Sequence, residues 1–247
     1  MASPPSSAIA GAAVAVMALA DVVAGLARAL PAPTKDAQTA NSACRRVGRI
    51  LAPRITAPAD VAAIAASLVA TVQALARAGE AADAAAGLYA AAGATRGCAP
   101  SSASPALTQA YGLARATCVA VEMACLGEAF VAEARTGFAD RQSASAARLR
   151  IRAAYDGAAD RIAAALGQAS LAILDTAARE TSAYLVQEAA SLQPVIRVDA
   201  AGSFPAAAIA WSLYADPERA GELMDRNGVG TPFHMPATIE AVSPGKR

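Results

Sequence analysis

Long alanine-rich segments, in which larger apolar residues recur every three or four positions, constrain most of this chain to be helical. One such segment starts at Pro58 and continues to about Ala92. Its larger apolar members are Val61, Ile64, Leu68, Val72 and Leu75. They fall on one face of an α-helix, because a helix turns once in about 3.6 residues. Alanine has the highest helix propensity. We therefore predict a mainly α fold.

Two later segments repeat this period, one over residues 104–136 and one over residues 139–192, and a loop is expected over residues 93–105. The predicted buried face of the first is Leu107, Tyr111, Ala114, Cys118, Val121, Cys125 and Ala129. That of the second is Ile151, Tyr155, Ala158, Ile162, Leu166, Ala169 and Ile173. The second pattern persists for about three heptads and is typical of a coiled-coil-like hairpin arm. Unbroken, such a helix would span roughly 80 Å.

The kind of apolar residue also predicts how the helices associate. Of the 247 residues, 55% are hydrophobic but only 4% are aromatic. Alanine buries little area, and the stabilisation from burial scales with apolar area. Alanine-rich helices therefore suit close contacts between helices, often between subunits, and we predict a homo-oligomer.

The stretch Ser6–Leu30 is the one candidate for a membrane segment, since it is about long enough to span a bilayer. Asp21 lies inside it, and an unpaired carboxylate at that depth costs about 2.5–3.5 kcal/mol. Arg28 follows within two turns, and no basic region precedes the stretch as in a signal peptide. We expect an amphipathic or subunit-buried helix and no stable membrane insertion.

The sequence changes in character after Pro194. Val195–Val198 is a β-branched run typical of a strand, residues 204–214 and 216–227 are predicted helices, and Thr238–Val242 is a second short strand. The predicted domains are an N-terminal helix with a proline linker (1–33), a long-helix body or arm (34–193), and a small α+β module of strand–helix–helix–strand order with a frayed tail (194–247).

No residue pattern points to an enzyme, a cofactor or a metal. The four cysteines are not spaced as a zinc or redox pair, and Cys118 and Cys125 suit a buried helix face. His234 is the only histidine, so a catalytic triad lacks support. The carboxylates look scattered over helix surfaces, and the net charge of +1 gives no global attraction to nucleic acid. We predict no catalytic residues.

The C-terminal segment resembles the LysM-like modules that end many phage tail and baseplate proteins. The matching residues are Trp211, Leu213, Tyr214, Asp216, Arg219, Ala220, Leu223, Asn227, Pro232, Pro236 and Ile239. Phe204-Pro205 before an apolar helix and the Arg226-Asn227 ending are most similar to the Mu-type phage DNA-circularisation proteins, which act at the tail tip. The helical middle of that family has a start comparable to Phe138–Arg141. The resemblance covers roughly residues 104–242.

This resemblance implies a virion protein of the phage tail tip or baseplate, synthesised in the bacterial cytoplasm and bound to other tail proteins. Two features depart from the family. Ala215 replaces a glycine of the turn, which is tolerable if the φ of that residue is negative. The family also begins with a β-rich domain that docks on the tail tube, whereas the first hundred residues here are predicted to be helical.

Within the module, Trp211, Leu213 and Leu223 are expected to fill a small core, with Tyr214 anchoring it. Arg219, Arg226 and Asn227 are expected to meet partners. Free-standing LysM domains bind N-acetylglucosamine-containing glycans, whereas tail versions mostly fasten proteins together. Protein docking is favoured, and binding of peptidoglycan or DNA during genome entry is the alternative.

Arg148 and Arg152 belong to a locally basic segment with two interpretations. In the first, they contact either DNA that passes through the tail or the acidic surfaces of neighbouring proteins. In the second, they lie on a solvated helix face and are partly balanced by Asp140, Asp156 and Asp160. The solvated face is favoured. A third hypothesis for the whole chain is a helical scaffold or envelope-associated protein of a cell.

Overall fold

The computed structural model describes residues 6–244, and this part of the chain is mainly helical, as predicted. The expected fraying of the tail concerns residues 243–247, of which 245–247 lie outside the described residues. The helices are α1 (Ser6–Ala29), α2 (Thr34–Arg46), α3 (Pro58–Ala78), α4 (Ala81–Thr95), α5 (Pro105–Ala110), α6 (Gly112–Arg135), α7 (Arg141–Leu166), α8 (Gln168–Ser191), α9 (Ala206–Tyr214) and α10 (Ala220–Arg226). The strands are β1 (Val195–Asp199) and β2 (Thr238–Val242).

The chain forms two compact units. Unit 1 contains the residues up to Gly137 together with Leu149–Ala183. Unit 2 contains Phe138–Arg148 and the residues from Tyr184 onward, so the first turns of α7 and the last turns of α8 belong to it.

In unit 1, α6 is the central helix, and it packs against α1, α3 and α4. All five larger apolar residues of the predicted α3 face are buried. The predicted face of α6 is buried from Ala114 onward, but the assignment of Leu107 to it is wrong because the helix is interrupted at Tyr111. The predicted helix from Pro58 to Ala92 is also two helices, since Gly79 has an extended conformation.

Helix α1 is covered by its own chain. Its buried face consists mainly of small residues and packs against α6, α2 and α3. By length and composition, α1 and α3 are the helices of the described part that are apolar enough to cross a membrane. The core helix of a soluble protein passes the same test.

The predicted long element over 139–192 is interrupted at Gly167, which has a φ of 85° and separates α7 from α8. Ile151, Ala158 and Ile162 are buried as predicted, but the prediction is wrong for Ala169, which is exposed, and for Ile173, which is 65% exposed, while Leu174 is buried instead. The prediction for Ile173 is wrong because the turn shifts the phase of the buried face by one residue.

Unit 2 has the predicted order of strand, two helices and strand. β1 and β2 are antiparallel, with Val195 opposite Val242 and Asp199 opposite Thr238. Leu223 is fully buried in the core, and Leu213 and Tyr214 pack against that core. The prediction that Trp211 fills this core is wrong, because its side chain is 62% exposed. The core is Ala206, Ile209, Ala210, Leu223, Met235, Ile239 and Ala241.

Candidate functional site

Three aromatic side chains of unit 2 are exposed to solvent and define what we call the aromatic surface: Phe204, Trp211 and Phe233. They are 46%, 62% and 68% exposed, respectively. Phe204 and Phe233 lie on neighbouring segments, since the Ala206 N–H donates to the Pro232 carbonyl (2.8 Å) and the Met235 N–H donates to the Phe204 carbonyl (3.0 Å). Isolated exposed apolar residues are common, but bulky aromatics are enriched at protein interfaces.

Tyr214 and Arg219 form a second connected group in unit 2. The Tyr214 hydroxyl donates to the Val242 carbonyl at 3.0 Å. The Arg219 guanidinium lies 3.6 Å from the centre of the Tyr214 ring and donates to Glu222 at 2.7 Å. Burial raises the pKa of Tyr214. Tyr214 thus anchors the core of the module, and Arg219 covers its ring.

Arg226 pairs with a residue that lies far from it in the sequence. Its Nη2 is 3.0 Å from Oδ2 of Asp140, and the two side chains are 17% and 3% exposed. Asp140 also caps α7, because the Ser143 N–H donates to its Oδ1 at 2.8 Å. Although burial opposes ionisation, the hydrogen bonds from Ser143 and Arg226 leave the pKa of Asp140 below its ordinary value.

This pair joins the segment Phe138–Arg141 to the end of α10 at Arg226-Asn227. Arg141 donates to the carbonyls of Ala189 and Leu192 at the end of α8, both at 3.1 Å. Both segments therefore belong to the internal framework of unit 2.

Asn227 also has an internal role. Its amide nitrogen donates to the Leu223 carbonyl (2.8 Å) and the Glu240 carbonyl (2.9 Å), and its oxygen accepts from the Glu240 N–H (2.8 Å). The side chain ties the end of α10 to β2. Contact of Arg226 or Asn227 with partner proteins stays a prediction. The internal hydrogen bonds leave few of their donors and acceptors for such a partner.

The arginines in the basic segment of α7 have different neighbours. Arg152 forms an exposed pair with Asp156 at 3.6 Å, as expected for a solvated helix face. Arg148 lines a shallow groove of unit 2 beside Leu185 and Ala189. Arg150 differs from both, because it binds both oxygens of the buried Glu133 at 2.8 and 3.0 Å.

The expectation that carboxylates are scattered over helix surfaces is wrong for α6. Three of its glutamates are buried, and each pairs with an arginine of another segment. Arg77 binds Glu128 at 3.1 Å, Arg150 binds Glu133, and Glu122 is shared by two arginines. The signal in the sequence was that carboxylates occur within an almost wholly apolar segment, since buried charges need partners.

Glu122 lies at the wall of a cavity of about 760 Å³ in unit 1. Its Oε1 accepts from Arg96 Nε at 2.9 Å and from Arg161 Nη2 at 2.7 Å. The Glu122 side chain is 2% exposed, whereas those of Arg96 and Arg161 are 48% and 40% exposed. Arg115 lines the same cavity and donates to the Thr108 carbonyl at 2.6 Å.

The cysteines lie in apolar surroundings. Burial raises the pKa values of Cys118 and Cys125 to about 12, so both thiols are protonated at neutral pH. The prediction that these two residues are buried is confirmed. Residues 6–244 contain no cluster of histidine, cysteine and carboxylate side chains that could hold a metal ion.

Comparison with known proteins assigns no family to this chain. No protein-family model matches it, and no curated protein matches it.

Proposed function

We propose that this protein is a non-enzymatic structural component of a bacteriophage tail tip or baseplate, related to the Mu-type DNA-circularisation proteins. In this proposal the LysM-like module docks on neighbouring tail proteins. The observation that carries it is the aromatic surface, because the module folds its core without Phe204, Trp211 and Phe233 and leaves them in solvent.

Energetics favour a protein partner for these side chains. Fully burying an aromatic side chain contributes about 1.5–3 kcal/mol relative to leaving it exposed. Tryptophan is also enriched among the few residues that dominate binding energy at interfaces. A partner that covers Trp211 and Phe233 would gain this burial energy, which folding of the module leaves unused.

The bonding within unit 2 supports the relation to the family. Asp140 belongs to one of the matched segments and Arg226 to the other, and their side chains form an ion pair at 3.0 Å. The alanine-rich helices add a body suited to homo-oligomerisation, and the shared features extend from the module into the helical middle of the chain.

Location in the particle is the direct test. Antibodies against the purified protein are applied to purified phage particles from the source bacterium, and bound gold is located by electron microscopy. Gold at the tail end supports the proposal. Particles without gold, with the protein found free or in the envelope fraction, overturn it.

A variant tests the role of the aromatic surface in docking. Trp211→Ala and Phe233→Ala together are expected to remove the protein from assembled tails while leaving the circular dichroism spectrum unchanged. The matched control is Ile173→Ala in α8, which removes an equally exposed apolar side chain outside the module. Normal incorporation of the double variant would contradict docking through this surface.

Pull-down on purified peptidoglycan separates the alternative function. Retention that Trp211→Ala abolishes would assign glycan binding to the aromatic surface, because aromatic faces also pack against sugar rings. Retention on DNA would instead favour a role at the genome end. Neither result is expected under the tail-docking proposal.

A further inference from the structure

The cavity beside Glu122 is lined by more positive than negative charge. Arg96, Arg115 and Arg161 line it, and Glu122 is the one carboxylate among the lining residues. Three guanidinium groups against one carboxylate leave two positive charges in excess. The remaining walls include Tyr111, Val119 and Ala165, which are apolar or aromatic.

Local helix geometry brings these groups together. Arg115, Val119 and Glu122 are spaced by four and three residues on α6, so their side chains lie on one face. Arg96 follows the last residue of α4, and Arg161 lies on α7. The ring of Tyr111 can lie at the cavity wall because Gly11 of α1 has no Cβ, and a Cβ atom there would lie only 2.5 Å from the tyrosine ring.

Neutralising Glu122 does not require all three arginines. Arg161 alone contacts both carboxylate oxygens, at 2.7 and 3.4 Å. Arg96 adds one bond through Nε, and within residues 6–244 its two terminal nitrogens donate to no other group. Arg115 forms no hydrogen bond with Glu122, and within residues 6–244 its side chain donates one hydrogen bond, from Nη1 to the Thr108 carbonyl. Each guanidinium has five N–H donors, so within residues 6–244 most of the donors at the cavity have no protein acceptor and can bind solvent or a ligand.

We propose that this cavity binds a small polyanion whose carboxylate or phosphate groups are held by Arg96, Arg115 and Arg161. The planar guanidinium fork matches both kinds of group with paired hydrogen bonds. The volume of about 760 Å³ is within the range for small-molecule sites. This site is separate from the aromatic surface, so it stands whether or not the protein docks in a phage tail.

Calorimetric titration of the full-length protein tests the proposal. The probes are inorganic pyrophosphate and citrate, titrated at constant ionic strength so that screening does not change. Saturable binding of pyrophosphate alone would show that the cavity selects phosphate groups, and binding of citrate alone would show that it selects carboxylate groups. Binding of both would show that it selects ligands by their negative charge. Absence of saturable binding by either probe at millimolar concentration overturns the proposal.

Variants separate the cavity from general surface charge. Arg115→Gln is expected to weaken binding by at least about tenfold, because a hydrogen bond to a charged group is lost. Arg152→Gln is the matched control, since it removes an exposed arginine outside the cavity and should leave the affinity unchanged. Equal affinities for the protein and Arg115→Gln would overturn the assignment.

A second variant tests the cavity by adding a negative charge that would repel an anion, instead of removing an arginine. Ala164 is an exposed residue of α7 that lines the cavity. Ala164→Glu keeps a good helix former and adds a negative charge, so it is expected to abolish binding without changing the melting temperature appreciably. Undiminished binding by this variant would show that the probes bind elsewhere and would overturn the proposal.

Discussion

At the scale of the residue, Ala215 has a backbone conformation that is unfavourable for a residue with a Cβ atom. It ends α9 with a φ of 57° and a ψ of 27°, in the left-handed region, and its N–H donates to the Trp211 carbonyl at 2.8 Å. The condition set from the sequence, that its φ be negative, is therefore not met. The Cβ of an L-residue in this conformation lies too close to the following carbonyl oxygen, which costs about 1–2 kcal/mol.

Ala215→Gly is therefore expected to raise the free energy of unfolding by about 1 kcal/mol. The check is urea denaturation followed by circular dichroism. Ala208→Gly, at an exposed position in the first turn of α9, is the matched control and should lower the same quantity by up to about 1 kcal/mol. A loss of stability in both variants would contradict the strain assigned to Ala215.

At the scale of the element, the turn between α7 and α8 depends on one glycine. Gly167 has a φ of 85°, and no atom lies within 4 Å of the position that a Cβ would occupy. The need for glycine is thus conformational and not a matter of space. Gly157 lies inside α7, where an added Cβ also meets nothing within 4 Å and φ is not positive.

These two glycines predict opposite effects of the same substitution. Gly167→Ala is expected to lower the free energy of unfolding by about 1–2 kcal/mol, because alanine is strained at positive φ. Gly157→Ala is expected to raise it by about 0.5–1 kcal/mol, since glycine is unfavourable within a helix. Thermal melting of both variants provides the measurement, and changes of the same sign would refute this account of the turn.

At the scale of the whole molecule, buried ion pairs connect α6 to its neighbours within unit 1. Glu133 is the most symmetrical case, because Arg150 of α7 binds both of its oxygens and the glutamate side chain is 2% exposed. The hydrogen bond to Glu133 raises the pKa of Arg150, so the arginine stays charged. Replacing Glu133 leaves the Arg150 guanidinium without its partner, and because that side chain is 52% exposed, water offsets part of the loss.

Glu133→Gln is expected to lower the free energy of unfolding by about 1–2 kcal/mol, because two hydrogen bonds between charged groups are lost and water partly solvates the half-exposed guanidinium of Arg150. Glu180→Gln, at an exposed position of α8, should change it by less than about 0.5 kcal/mol. The double variant Glu133→Leu with Arg150→Met removes both charges and should recover much of the loss. Chemical denaturation of the unsubstituted protein and the three variants is the measurement, and a double variant less stable than Glu133→Gln would contradict the argument.

The positions of most helices and strands, and the buried faces of several helices, were determined by the sequence alone. The spacing of Val61, Ile64 and Leu68 fixed which face of α3 is buried, and the β-branched run after Pro194 predicted β1. Periodicity is a local property, because it follows from the geometry of one helix or strand. The same reasoning gave the order of strands and helices in unit 2.

Tertiary structure alone decided which charges and aromatics are internal. Glu122 and Arg161 are 39 residues apart, and no local rule pairs them. The exposure of Trp211 was likewise undetermined, because Leu223, Met235 and Ile239 complete the core without it. The physical reason is that burial of a particular side chain depends on which distant segment packs against it, whereas helix formation depends mainly on neighbours in the sequence.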